Sequence, residues 1–361
     1  MLGSNSFKKL KIGYEPYSKN LNGPGDRRRF CFFAKEYGLG FETLKNKKNY
    51  DLAILTSTSD LSKINNLKKR NTKVIIDLVD SYLVKTKFHE DYLRYMGRSF
   101  KNKRLMNIFY PTRFTDYLKR SISKSDAVIC STVEQRKEIK KYNSNVHIIL
   151  DNMDDDIINF KKIYIRKENE INILWEGLPS NIYQIKELKN ALNNIGKFTT
   201  VNLHIISDLS SYKYFSSFYK INTEKIIKNI SLNINTYLYQ WNPTALASIS
   251  SLCDFGIIPV DQESLFTLGK PENKLLLLWK LGLPVLVSNT KAYSRTLKNA
   301  SLGDMMLCKN QKDWEKKILK FINLEPKQKE IISRQAKKYA NKHSNKQVLL
   351  NLWSELINDV M

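Results

Sequence analysis

The stretch "GKPENKLLLLWKLGLPVLVS" (residues 269–288) decides how the chain is read. A proline and a lysine open a helix near 272–281, and four leucines and a tryptophan carry it as an apolar one. Gly282 takes the C′ position, where a left-handed turn suits glycine, and Pro284 bars continuation. "PVLVS" (284–288) then reads as a strand buried on both faces.

The same alternation extends outward. In the second half, "INILWEG" (171–177), "VNLHIIS" (201–207) and "CDFGIIPV" (253–260) read as strands, with a helix near 181–194. In the first half the strands are "LKIGY" (10–14), "YDLAILT" (50–56), "KVIIDLV" (73–79), "DAVICS" (126–131) and "VHIIL" (146–150). Helices are expected at 26–37, 59–69, 112–123 and 132–142, and at the end over 311–323, 326–342 and 346–359. Residues 151–170 are acidic, then basic, and lack a sustained period, so they read as a linker. Strands alternating with helices imply parallel sheets covered on both faces. The expected fold class is therefore α/β, with two doubly wound, Rossmann-like domains facing a cleft. The first spans 1–155 and the second 156–342, with a C-terminal helix (343–361) packing back on the first. Ligands of such sheets bind at the carboxyl ends of the strands.

Composition narrows the partners. With 42% hydrophobic and 11% aromatic residues in 361, the chain can build real cores and is not disordered. A net charge of +25 suggests nucleic acid, an anionic membrane surface or phosphorylated substrates. The excess is diffuse and no nucleic-acid recognition motif accompanies it, so no nucleic acid is expected. Cys31, Cys130, Cys253 and Cys308 are far apart, which argues against a disulfide framework or a zinc site. "MLGSNSFKKLKIGYEP" lacks a signal-peptide apolar core, and no run of about 18 apolar residues occurs. The expected location is the cytoplasm, with the inner face of a membrane as a peripheral resting place.

"GPGDRRRF" (23–30) places Asp26 as an N-cap and Arg27, Arg28 and Arg29 in the first helical turn, where cations oppose the helix dipole. Contact with an anion or a phosphorylated acceptor accounts for them, because arginine forks match phosphate geometry. A solvated face or pairing with acidic residues elsewhere is the other account. Asp77 and Asp80 lie near the end of a strand, where an acid can act as base toward a hydroxyl. Asp80, nearer the loop, is the better candidate, and capping is the alternative role for both. His89 is the one histidine placed for catalysis. His147 and His204 alternate within strands and read as structural. Asp154, Asp155 and Asp156 read as a solvated linker rather than a metal site, and no metal is expected.

The stretch 269–288 resembles the C-terminal half of the GT-B glycosyltransferases, in particular the large retaining family that uses nucleotide-sugar donors. "SDAVICSTVEQRKEI" (125–139), "NVHIILDNMD" (145–154) and "WNPTALASISSLCDFGIIPV" (241–260) add to the likeness. "GPGDRRRFCFFAKEYGLGFE" with "YDLAILTSTSDLS" resembles the N-terminal domains of bacterial surface-polysaccharide members. The resemblance implies a metal-independent enzyme with no cofactor beyond its nucleotide-sugar donor. It would transfer a sugar to a glycan or lipid-linked acceptor in bacterial surface polysaccharide biosynthesis. It also implies that the helix start grips the donor phosphates, through Lys274 and Lys270 with Asn273 beside them. Glu176 and Gly177 end a strand, and the glycine admits a phosphate close to the backbone; a plain strand-to-helix turn is the alternative. One departure stands out. The family's usual pair of glutamates falls on Gly269 and Leu277 here, so the donor ribose loses its acceptor. Glu272 is the substitute within reach. The loss of that pair also supports a second class of function, a non-catalytic GT-B-like module that binds a glycan or a partner protein.

Overall fold

The computed structural model describes residues 7–84, 88–101, 113–165, 169–213 and 219–361. Residues 1–6, the first residue of the helix expected at 112–123, and 166–168 of the expected linker lie outside that set. The chain divides into two compact units. One comprises Met1–Asn152, Gly269–Pro271 and Ser344–Met361; the other comprises Met153–Leu268 and Glu272–His343.

The first unit is built on a six-stranded sheet: β1 (Ile12–Glu15), β2 (Phe41–Thr43), β3 (Leu52–Thr56), β4 (Lys73–Asp77), β5 (Ala127–Cys130) and β6 (Val146–Ile148). Its order is β2-β1-β3-β4-β5-β6, and every pairing is parallel. β3, β4 and β5 are buried almost throughout, as strands covered on both faces must be. Alternate residues feed two cores. Ile54, Ile75 and Ile129 face one side, with Phe30, Phe33 and the C-terminal helix Lys346–Val360. Leu55, Ile76 and Val128 face the other, with Phe114, Leu118 and Ile122. Trp353 stacks on Phe33 at 5.7 Å and so ties the last helix into the first core.

The second unit carries β7 (Glu170–Glu176), β8 (Thr200–Ser207), β11 (Asn235–Gln240), β12 (Phe255–Ile258), β13 (Val285–Ser288) and β14 (Leu307–Cys308). Their order is β11-β8-β7-β12-β13-β14, again all parallel. A small antiparallel pair, β9 (Ser210–Lys213) with β10 (Tyr219–Asn222), stands apart from it. The stretch that decided the reading forms the helix Asn273–Lys280, then β13. Gly282 closes the helix at φ +75°, with its N–H on the Trp279 carbonyl and the Leu283 N–H on Leu278, the two bonds of a Schellman cap.

Two local expectations are corrected. Asp26 caps nothing: it is buried inside the short helix Pro24–Arg27, whose N-cap is Gly23. Its carboxylate accepts from the Tyr14 hydroxyl at 2.6 Å and from the Tyr17 and Ser18 backbone N–H groups at 2.8 Å, which fixes the loop after β1. The acidic run is not a solvated linker either. Asp154 takes the buried Lys280 ammonium at 2.5 Å and Asp156 is buried, which leaves Asp155 as the exposed member.

Candidate functional site

In the second unit the chain runs from β7 outward to β8 and β11, then crosses back to β12 on the opposite side of β7. The carboxyl ends of β7 and β12 therefore flank a topological switch point, the place where open α/β sheets form a crevice. Glu176 ends β7 and Gly177 follows it. Lys274, in the first turn of the helix Asn273–Lys280, sends its ammonium to that spot. Nζ donates to the Glu176 carbonyl, lies 4.0 Å from Glu176 Oε2, and sits over the Trp175 indole at 4.9 Å. Gly177 makes the approach possible, since a Cβ there would stand 2.5 Å from Lys274 Nζ and 3.0 Å from Trp175 Cη2. The indole N–H of Trp241, just past β11, donates to Glu176 Oε1 at 3.0 Å. The result is a half-buried ammonium held at a strand end beside a helix start, where backbone N–H groups and the helix dipole favour an anion.

Glu272 and Asn273, beside Lys274, are both buried. Glu272 Oε1 accepts from Arg295 Nη1 at 3.0 Å and from Thr296 Oγ1 at 3.4 Å. Its carboxylate thus anchors the helix start to the helix Lys291–Asn299. Leu277 is 1% exposed and belongs to the core.

The two halves of this architecture recur in solved structures. The chain aligns with TarM at a TM-score of 0.55 and 16% identity, over 85% of this chain and 54% of that one. It thus spans about half the length of TarM (54%). Anabaena HepE, in complex with UDP and glucose, aligns at 0.62 and 11% over 97% and 99% of the two chains. Sucrose-phosphate synthase from Thermosynechococcus elongatus aligns at 0.59 and 12% over 96% and 80%. The fold is that of the GT-B glycosyltransferases. No protein-family model matches the sequence, and no curated protein sequence matches it.

Within this GT-B fold the three arginines part company. The helix breaks after Arg27, and Arg29 becomes the residue before the next helix, Phe30–Tyr37. Arg29 is 0% exposed. Its Nε and Nη2 donate to the two oxygens of Asp77 at 2.7 and 2.6 Å, and Nη1 donates to Asp151 and to the Ile149 carbonyl at 2.9 Å. A guanidinium so enclosed is not available to a ligand, and Asp77, its partner, is not free to act as a base. Both expectations are corrected: these residues lock the start of the helix Phe30–Tyr37, the end of β4 and the chain after β6 together. Arg27 and Arg28 stay half-buried at the surface.

Asp80 follows β4, half-buried. Burial raises its carboxyl above the usual carboxylate range, against the opposing pull of Lys270. Lys270 stands in the segment Gly269–Pro271 that belongs to the first unit, near enough for its charge to act on Asp80; next to it, Ser81 Oγ donates to the Gly269 carbonyl at 2.8 Å. His89 is exposed on the helix Phe88–Lys101, and among the described residues no hydrogen bond joins it to Asp80. His147 and His204 are held within their sheets, His204 by Tyr239 at 3.0 Å and Asn172 at 3.1 Å. Among the described residues no group of three or more His, Cys, Asp or Glu side chains is placed to hold a metal ion, and no helix is long and apolar enough to cross a membrane.

Trp175 and Trp241 escaped the sequence reading as site residues. Their signal was present: each adjoins a strand terminus, in "LWEG" and "YQWNP", where a bulky indole has reason to serve a site.

Proposed function

We propose that this protein is a glycosyltransferase that moves a sugar from a nucleotide-sugar donor to a hydroxyl of a glycan or lipid-linked acceptor, in bacterial surface polysaccharide synthesis. The observation that carries the reading is the Lys274 ammonium, held over Trp175 at the carboxyl end of β7 and beside a helix start. A nucleoside diphosphate placed there meets one fixed cation and the N–H groups of the helix. The solved complexes add support: HepE is seen with UDP-glucose and with UDP and glucose, and a TarM variant with fondaparinux, α-GlcNAc-glycerol and UDP.

In this reading the bond from the sugar to the diphosphate breaks, and a bond from the sugar to the acceptor oxygen forms. Lys274 and the helix start take the charge that grows on the departing diphosphate, where fixed donors act without reorganisation. The acceptor proton goes to Asp80, whose burial makes its carboxylate a stronger base. Arg27 and Arg28 suit an anionic group on the acceptor, and His89 is a further candidate for the proton transfer. Lys270, whose charge acts on Asp80, is proposed as a second cation of the donor, and Asn273 and Gly177 as its close neighbours. No metal ion has a part in this scheme. The surplus of 25 positive charges supports a cytoplasmic enzyme resting on an anionic membrane.

A panel of nucleotide-sugars, assayed for release of the nucleoside diphosphate with glycan acceptors, tests the reading. Release with one donor, reduced about 100-fold in Lys274→Ala, is expected. A second reading, a non-catalytic GT-B-like binding module, is favoured by Leu277 in the core and by Glu272 tied to Arg295. Nucleotide binding without release from any donor would select it.

A further inference from the structure

Residues 157–165 cross the second unit at the end of the helix Asn273–Lys280 opposite Lys274, about 12 Å away along eight residues of helix. The segment is pinned rather than loose. The Lys161 N–H donates to the Leu281 carbonyl at 2.8 Å, Lys161 Nζ to the Ser251 carbonyl at 2.9 Å, and the Tyr164 hydroxyl to the Gly282 carbonyl at 2.6 Å. With Lys161 and Tyr164 turned inward, the apolar side chains around them turn out. Ile158 is 63%, Ile163 71% and Ile165 55% exposed, and Phe160 is also exposed.

Two ammonium groups attend this apolar edge. Lys162 Nζ lies 5.4 Å from the centre of the Phe160 ring, and Lys337 Nζ, from the helix Pro326–Ser344, lies 2.8 Å from it. Burial lowers the Lys337 pKa, and the nearby charge of Lys162 lowers it further. Among the described residues neither lysine has a carboxylate partner. That helix is itself lopsided, with six Lys and Arg residues against one Glu. Two like charges on one aromatic ring, bordered by exposed isoleucines on a held backbone, call for a partner that offers anions and hydrocarbon in the same plane.

We propose that Ile158, Phe160, Ile163 and Ile165, with Lys162 and Lys337, form a docking surface for an anionic phospholipid bilayer. The lysines meet headgroup phosphates and the isoleucines enter the acyl boundary, the pairing of charge and apolar area by which interfacial segments bind. The surface works whether or not a nucleotide occupies the Lys274 site.

The test is flotation of the full chain with vesicles of phosphatidylcholine alone and of phosphatidylcholine mixed with phosphatidylglycerol. Binding to the mixed vesicles only is expected. Lys162→Gln with Lys337→Gln should weaken it roughly 30-fold, as two surface charges at about fivefold each would. Ile163→Ser with Ile165→Ser should weaken it roughly tenfold or more. Lys141→Gln with Lys228→Gln removes the same charge elsewhere on the surface and should leave binding within about threefold of the wild type. All six side chains are exposed or at the surface, so melting temperatures should stay level and separate lost docking from lost folding. No binding to mixed vesicles, equal binding to neutral ones, or an equal loss in the Lys141/Lys228 pair would overturn the proposal.

Discussion

Arg29 and Asp77 meet fork to fork inside the first unit, Nε to Oδ2 at 2.7 Å and Nη2 to Oδ1 at 2.6 Å, with neither side chain open to water. Removing one partner of such a pair strands the other. Arg29→Met should lose about 3–5 kcal/mol of stability in urea denaturation. Arg29→Lys should recover little of it, because a single ammonium cannot reproduce the fork.

The same pair carries a pH dependence. Burial lifts the Asp77 carboxyl above its ordinary range even with Arg29 opposing. Between the unfolded value, about 3.9, and the raised folded one, the native state holds the proton more firmly, so this group lowers stability as pH rises. Without Arg29 the folded value climbs further and the window widens upward. The deficit of Arg29→Met against the wild type should therefore shrink in acid and grow toward neutrality. Urea midpoints measured across that range check the sign, and a deficit that does not change with pH would refute it.

Gly177→Ala sets a Cβ 2.5 Å from Lys274 Nζ, the far end of a flexible side chain, and 3.0 Å from Trp175. The lysine can swing away at small cost to the fold but leaves its post. Losing one charge-assisted contact of about 1.5–3 kcal/mol should weaken a bound nucleoside diphosphate roughly tenfold or more. The melting temperature of the free protein should hardly move. A thermal-shift series with and without nucleotide reads both.

Leu277→Glu restores the residue that the resemblance leads one to expect, yet Leu277 is 1% exposed, within the buried part of the helix Asn273–Lys280. An unpartnered carboxyl there should cost about 4 kcal/mol, which denaturation would register. It should not improve nucleotide affinity.

Trp353→Ala empties the centre of the core shared by Phe30 and Phe33. The first unit should lose about 3–5 kcal/mol. Near-ultraviolet circular dichroism during denaturation would follow it.

The buried strands were legible in the sequence for a physical reason. A parallel strand covered on both faces needs an unbroken apolar run, and "LAIL" and "FGII" are such runs. The edge strands were not. Phe41–Thr43 has three residues, Leu307–Cys308 two, and Asn235–Gln240 alternates between exposed and half-buried, so none carries the apolar run the reading relied on. At the site, Lys274 and Gly177 were legible as a helix start and a strand end. Arg29 was misread because its partners Asp77 and Asp151 lie 48 and 122 residues away in the chain, and no local pattern announces so distant a pairing. Trp241 reaches Glu176 across 65 residues in the same way.

Titration calorimetry of UDP, of the other nucleoside diphosphates and of the parent nucleosides into the wild type and Lys274→Ala goes to the heart of the matter. The wild type should bind one nucleoside diphosphate, and the variant should bind it roughly tenfold or more weakly, as expected for one charge-assisted contact. The nucleoside alone should bind both proteins alike. Equal affinity of the two proteins for the diphosphate, or no binding of any nucleoside diphosphate by the wild type, would contradict a donor site at Lys274.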